Sequence, residues 1–198
     1  MSGPGLRLPD AAVCKNPIVS LIVVSGIPGS GKTTIARHLG GHLGVPIISK
    51  DTIKEAMMDE LGTSDIAWVS RLSRAAHLVM YALVPDFGAT AILEAHFHHG
   101  VAEQDLVRLR QPMVQVFCRC PVEIAWERYQ RRREDPSRHP GHLAEHQDDN
   151  ATRAWRSSEP RPLQLDGPLV EVDTTVRVDV IALAARVSRE LDRLQRRI

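Results

Sequence analysis

The sequence predicts an α/β domain built on a mainly parallel, buried sheet, and three observations predict it. Apolar runs of strand length alternate along the chain with segments of helical periodicity, the pattern of βαβ units whose sheet is covered on both faces. The first of these runs passes directly into a glycine-rich turn and then an amphipathic segment, the order in which a phosphate-binding loop is built. The 198 residues are 43% apolar and 25% charged, the balance and size of one globular domain rather than two.

Residues 1–17 carry Gly3, Pro4, Gly5, Pro9 and Pro17 without an apolar h-region, so a loose tail is expected there and the domain over 18–198. Strands are expected at Ile18–Ser25, Val45–Ser49, Thr90–Ala95, Met113–Cys120 and Leu169–Thr174. Lys32–Leu43 places Ile35, Leu39 and Leu43 on one face and stops at Gly44 before Pro46, a helix with a normal end. From about Asp65 to Leu83 apolar residues recur at three-to-four spacing, predicting a second long helix. Val180, Ile181, Ala184, Val187, Leu191 and Leu194 predict a closing helix whose last turns, with Arg193, Arg196 and Arg197, suit the negative end of the helix dipole. Between Glu134 and Pro168 the apolar residues thin out and five of the 13 prolines fall; inside a compact domain such a stretch is a functional loop or lid.

Basic and acidic residues nearly cancel, 25 against 24, so the total charge gives no general attraction to nucleic acid or anionic membrane. The longest apolar stretch, Ile18–Ile27, is about half of what a membrane crossing needs. Cys14, Cys118 and Cys120 read as reduced thiols of a cytoplasmic protein rather than a disulfide framework or a zinc site.

The chemistry begins at Gly26-Ile27-Pro28-Gly29-Ser30-Gly31-Lys32-Thr33, which fits G-x-x-x-x-G-K-[ST] at every fixed position. Glycines let the chain curl so that successive N–H groups converge on an anion, and the next helix presents its positive end to the same point. Lys32 then reaches the outer phosphates and the Thr33 hydroxyl can hold Mg²⁺. With no N-K-x-D guanine-reading motif in the chain, ATP is the expected nucleotide. Asp86-Phe87-Gly88 spells a protein-kinase tripeptide, yet it precedes a strand and lacks the H-R-D loop, so it reads as coincidence.

Four features together make the chain similar to a known group. They are the loop Gly26–Thr34, the segment Ser49-Lys50-Asp51-Thr52-Ile53-Lys54 closing the second strand, Glu94 closing the third, and the arginine-rich stretch Arg128–Arg133 after Cys120-Pro121. The sequence resembles the small P-loop kinases that include polynucleotide 5′-hydroxyl kinase, chloramphenicol phosphotransferase and zeta-toxin-like kinases. The resemblance spans roughly residues 18–140, with Glu94 where these families commonly carry Asp. It implies the three-layer P-loop NTPase fold: a five-stranded parallel sheet in the order 2-3-1-4-5, flanked by helices and closed by a lid, here with the acceptor region over about 128–165. It implies ATP and Mg²⁺ as nucleotide and metal, held by Gly26, Gly29, Ser30, Gly31, Lys32, Thr33 and Thr34, with Arg128 beside them.

On the acceptor side, Asp51 is the expected general base, since a carboxylate at the carboxyl edge of the sheet can orient a hydroxyl toward the γ-phosphorus. The plainer alternative is a helix cap, although Thr52 and Glu55 could form a capping box of their own and leave Asp51 free. In the resembled kinases a basic residue at the position of Lys54 contacts the acceptor or its phosphate; a solvated lysine is the alternative. Glu94 is expected to support the Mg²⁺ shell through water or to bind acceptor hydroxyls, the alternative being a strand-end carboxylate with no ligand. Of the three histidines that follow, only His96 shares the side of Glu94 and joins it as an acceptor-binding candidate, the alternative being that His96, His98 and His99 form a loop of solvated histidines. Among the lid arginines the resemblance favours Arg132 for the transition state, with Arg133 second, the alternative being an ordinary charged helix face.

The expected activity is therefore transfer of the γ-phosphoryl group of ATP to a hydroxyl of a small molecule. Two other readings remain: a nucleic-acid 5′-hydroxyl or tRNA end kinase, and an ATP-dependent regulatory switch.

Overall fold

The computed structural model describes residues 20–136, 138–142 and 160–196. The expected tail, Cys14, Arg197 and the part of the expected lid at 143–159 lie outside the described residues.

Five strands, β1 (Leu21–Ser25), β2 (Ile47–Ser49), β3 (Ala91–Glu94), β4 (Met113–Arg119) and β5 (Leu169–Asp173), pair in parallel in the order β2-β3-β1-β4-β5. Six helices accompany them among the described residues: α1 (Lys32–Leu43), α2 (Lys50–Leu61), α3 (Ile66–Phe87), α4 (Ala102–Arg108), α5 (Val122–Arg133) and α6 (Val180–Gln195). The strands are shorter than the apolar runs that announce them because the flanking residues turn away from the ladder. Val45, for instance, donates its N–H to Gly40 at the end of α1 instead of joining β3.

β1 shows why a continuous apolar run is needed. Ile22 and Val24 pack toward α1 and α6, alongside Ile35, Leu39, Leu183 and Val187. Leu21 and Val23 pack the other way, with Met80, Tyr81 and Val84 of α3 and Leu106 of α4. Both faces of the strand are thus in the core, and each of these side chains contributes about 1.5–3 kcal/mol by leaving water.

Two helix starts follow from short-range chemistry. Asp65 caps α3 by accepting from the Trp68 N–H at 2.8 Å, and Asp179 caps α6 by accepting from the Ala182 N–H at 3.0 Å. α2 departs from the expected start. Its N-cap is Ser49, so Asp51 lies in the first turn and the Thr52/Glu55 capping box does not form; the Ser49 hydroxyl is engaged elsewhere, at Glu94. α3 runs on to Phe87 and ends on Gly88 at φ 56°, so Asp86-Phe87-Gly88 is a helix end, not a catalytic loop. α4, with seven residues, has no counterpart among the expected elements.

Two contacts tie the chain ahead of β5 to the sheet. Leu163 is buried in the core, and Gln115 of β4, with its amide oriented to suit, donates to the Leu163 carbonyl at 3.0 Å and accepts from its N–H at 2.9 Å. On α5 only Ala125 is buried. Trp126 and Tyr129 are half-buried and stack on each other at 5.8 Å, with Arg138 5.1 Å from the Tyr129 ring.

Candidate active site

Everything that the β1–α1 turn does depends on main chain packed too tightly for side chains. Gly26 takes φ 149° and a Cβ there would meet Ser30 Oγ and the Cys118 carbonyl; Gly29 takes φ 84° and a Cβ there would fall on the Ala125 carbonyl of α5. The cradle is therefore held between β4 and α5, with Gly31 against Thr174 beyond β5.

Three observations make this turn fit a bound phosphate with its cation. The Ser30 hydroxyl is buried with no hydrogen-bond partner among the described residues. Lys32 is 6% exposed, and burial pushes its ammonium below the ordinary value while Glu94 and Asp51 pull it back up. A buried cation of this kind needs an anion close by. Finally, the Thr33 hydroxyl donates to Glu94 Oε1 at 3.0 Å, which leaves the oxygen lone pairs available to a metal ion.

Glu94 is almost completely buried, and its second oxygen accepts from Ser49 Oγ at 2.8 Å. The register sets this up, since Ser49 of β2 is paired with Glu94 of β3. One carboxylate thus ties the phosphate loop to the β2 edge.

Asp51 follows two residues later. Burial alone would raise its pKa, but the ammoniums of Lys50 and Lys32, with Lys50 Nζ 3.0 Å from Asp51 Oδ1, and the nearby His142 outweigh it and hold the carboxyl well below the usual range. Asp51 is therefore ionised at any ordinary pH. Its side chain remains 49% exposed, facing a cavity of about 300 Å³ that also takes in Thr33, Ser49, Glu94 and Arg132.

The remaining expected residues divide. Arg132 reaches the cavity from α5, where burial and Arg138 lower its pKa and Asp51 and Glu94 raise it. Arg133 is exposed and donates to Gln130 Oε1 at 2.9 Å, away from the cavity. Arg128 donates to the Thr174 carbonyl at 2.9 Å, beside Gly31. Thr34 is exposed in the first turn of α1. Lys54 is fully buried, which excludes the solvated alternative, and it is not among the residues that line the cavity. His96 also lies outside the lining; burial, with Lys32 next, drives its pKa well down and keeps the ring neutral. His98 and His99 are exposed.

Sequence reasoning missed three residues that the fold brings here. Arg37 and Glu55 line the cavity, and His142 pairs with Glu55 at 2.9 Å. Only Glu55 had a readable signal, its position four residues after Asp51 on one helix face. Cys118 lies under the loop, its thiol pushed up to about 12 by burial, so it stays protonated and unreactive.

A parallel 2-3-1-4-5 sheet with an anion cradle at the head of α1 defines a P-loop nucleotide-binding protein. Residues 21–155 match the AAA_33 model of an AAA domain, and the chain belongs to that family. A solved structure from Chloroflexus aurantiacus J-10-fl, described as a "putative kinase", is 31% identical, with a TM-score of 0.81 over 88% of this chain and 99% of that one. Shorter matches join the chain to the Holliday junction branch migration complex subunit RuvB of Kosmotoga olearia, 28% identical over 88 residues, 39% of this chain and 26% of that protein. A cytidylate kinase of Ignicoccus hospitalis is 37% identical over 46 residues, 23% of this chain and 27% of that protein. The chain thus spans about a quarter of the length of these curated relatives. No helix among the described residues is long and apolar enough to cross a membrane.

Proposed function

We propose that the protein is an ATP-dependent phosphotransferase that moves the γ-phosphoryl group to a hydroxyl of a small molecule. One observation carries this reading: Thr33, Glu94, Asp51 and Arg132 border the same cavity, so a nucleotide tail and an acceptor can meet there. The phosphate loop would hold the β- and γ-phosphates through its N–H groups and Lys32, with Arg128 near the nucleotide. Thr33, with Glu94 behind it, would hold Mg²⁺, which when bound supplies positive charge to the phosphate oxygens.

The acceptor oxygen attacks the γ-phosphorus, the bond to the β–γ bridging oxygen breaks, ADP departs, and the acceptor proton passes to Asp51 and on to water. An Asp with a depressed pKa is a weak base. That suits phosphoryl transfer, in which the proton leaves late and the main task is to orient the hydroxyl. Arg132 would stabilise charge on the equatorial oxygens. The finer resemblance to the polynucleotide kinase and chloramphenicol phosphotransferase group belongs to this proposal, as does the division into a tail at 1–17 and one domain at 18–198 with a lid.

The test is acceptor-dependent ADP release over a panel of hydroxylated metabolites, antibiotics and oligonucleotides, with Lys32→Ala as the control. The proposal predicts release with a small acceptor, and loss of both release and ATP-dependent thermal stabilisation in the variant. Undiminished stabilisation of Lys32→Ala by ATP refutes the phosphate site. Slow hydrolysis indifferent to every acceptor points instead to a switch.

A further inference from the structure

The cavity holds a second set of groups for which the transfer step has no use. Past Asp51 its wall is made by Arg37 from α1 and by Thr52 and Glu55 from α2. Glu55 lies one helical turn beyond Asp51 and shares its face. Its Oε1 is paired with His142 Nε2 at 2.9 Å, and its side chain is 39% exposed toward the cavity, where the other oxygen has no partner among the described residues.

The partner is itself well fixed. His142, only 8% exposed, sits in a 3₁₀ turn, Pro140–His142. That turn is seated on α2 by His139 Nε2 at 2.9 Å from Asp59 Oδ1, and by Gly141 packed so closely on Met58 and Thr63 that it has no room for a Cβ. An imidazole held this way fixes one carboxylate oxygen and turns the other to the cavity.

Arg37 is the complement. It reaches the cavity with no hydrogen bond or ion pair to any described residue. Asp51, Glu55 and Glu94 set three carboxylates around the acceptor that repel an anion and are only partly offset by Lys50 and Lys32, and in the proposed transfer Arg132 serves the γ-phosphoryl group. A guanidinium in this position therefore offsets that repulsion and offers a forked donor to a carboxylate or phosphate. At about 300 Å³ the cavity is at the small end for ligand sites, the size for a sugar-sized group.

We infer that Arg37 and Glu55 form an acceptor-recognition subsite, with Glu55 accepting from a second hydroxyl and Arg37 binding an anionic group, so that the acceptor is a small polyhydroxylated anion. This rests on the phosphotransferase reading above. His142 is a positioning residue that acts through Glu55.

The experiment uses a small-molecule extract of bacterial cells, divided by anion exchange into retained and flow-through fractions, as the source of acceptor. Acceptor-dependent ADP release should be confined to the retained fraction. Arg37→Gln should raise the half-saturating amount of that fraction at least tenfold, with less than twofold change in the half-saturating ATP concentration. Phosphatase pretreatment distinguishes the two anion sources: lost activity means a phosphate, retained activity a carboxylate. The effect of His142→Gln should disappear in the Glu55→Gln background, whereas a purely structural role would give additive losses. Activity in the flow-through fraction, or an Arg37→Gln variant equal to wild type, overturns the subsite and leaves the phosphotransferase standing. ADP release stimulated by neither fraction overturns the phosphotransferase reading and the subsite with it.

Discussion

Thr33 and Glu94, 61 positions apart, meet in a 3.0 Å hydrogen bond that joins the head of α1 to the end of β3. The Glu94 carboxylate also receives the Ser49 hydroxyl at 2.8 Å, so it orders the proposed metal-binding hydroxyl and the approach to Asp51 together. Glu94→Ala should cost about 1–3 kcal/mol in stability, because two partly buried hydroxyls lose their acceptor. It should also raise the Mg²⁺ concentration needed for half-maximal turnover by at least tenfold. Chemical denaturation and a Mg²⁺ titration of turnover measure the two effects.

Asp51 is held ionised chiefly against its own burial by Lys50 and then Lys32. Its depressed pKa means that whatever stability its charge contributes is present above the unfolded value near 3.9 and is lost only as pH falls through the lower native value. The same sign applies to turnover, which should show no acid limb from this group between neutral pH and the ordinary carboxylate range. Lys50→Met removes the closest cation and should move an acid limb upward toward that range. Asp51→Asn should lower kcat by about 10²–10⁴ while ATP still stabilises the fold. A pH–rate profile of the three proteins tests the assignment, and an Asp51→Asn variant of normal kcat would contradict it.

Gly29 and Gly31 both have positive φ, at 84° and 81°, but their surroundings differ. Gly29→Ala must drive a methyl into the Ala125 carbonyl, so it should destabilise by several kcal/mol or rearrange the loop, and abolish nucleotide binding. Gly31→Ala meets nothing closer than Thr174 Cβ at 3.7 Å and bears only the backbone cost of about 1–2 kcal/mol. Thermal melts with and without ATP should rank the two variants in that order.

Arg132 and Arg133 are neighbours in sequence with opposite surroundings: one lines the cavity and the other pairs with Gln130. Arg132→Ala should lower kcat by about 10²-fold or more, and Arg132→Lys should recover only part, because a forked donor is being replaced by a point charge. Arg133→Ala should stay within about threefold of wild type, an exposed side-chain pair being worth under about 1 kcal/mol. Steady-state kinetics on the three variants decides between the two arginines.

The legible part of the site was the part written in consecutive residues. Gly26 to Thr33 could be read outright because a phosphate cradle is made of one short segment of main chain. The Arg132 expectation rested on a resemblance, and only α5 packing places it apart from Arg133. Lys54 could not be judged, since whether a lysine on a short amphipathic helix meets water depends on what packs over it; here it is fully buried. α4 is not legible in the sequence because seven residues are too few for a helical period to emerge.

The sequence by itself determined the layers, the parallel sheet and the anion cradle, because apolar periodicity and glycine stereochemistry act over neighbouring residues and need no partner. The tertiary structure alone decided which charges share the cavity. Glu55 with His142, separated by 87 positions, and Arg37 in the same cavity are joined by helix packing and strand order, whose energies depend on contacts that no local pattern encodes.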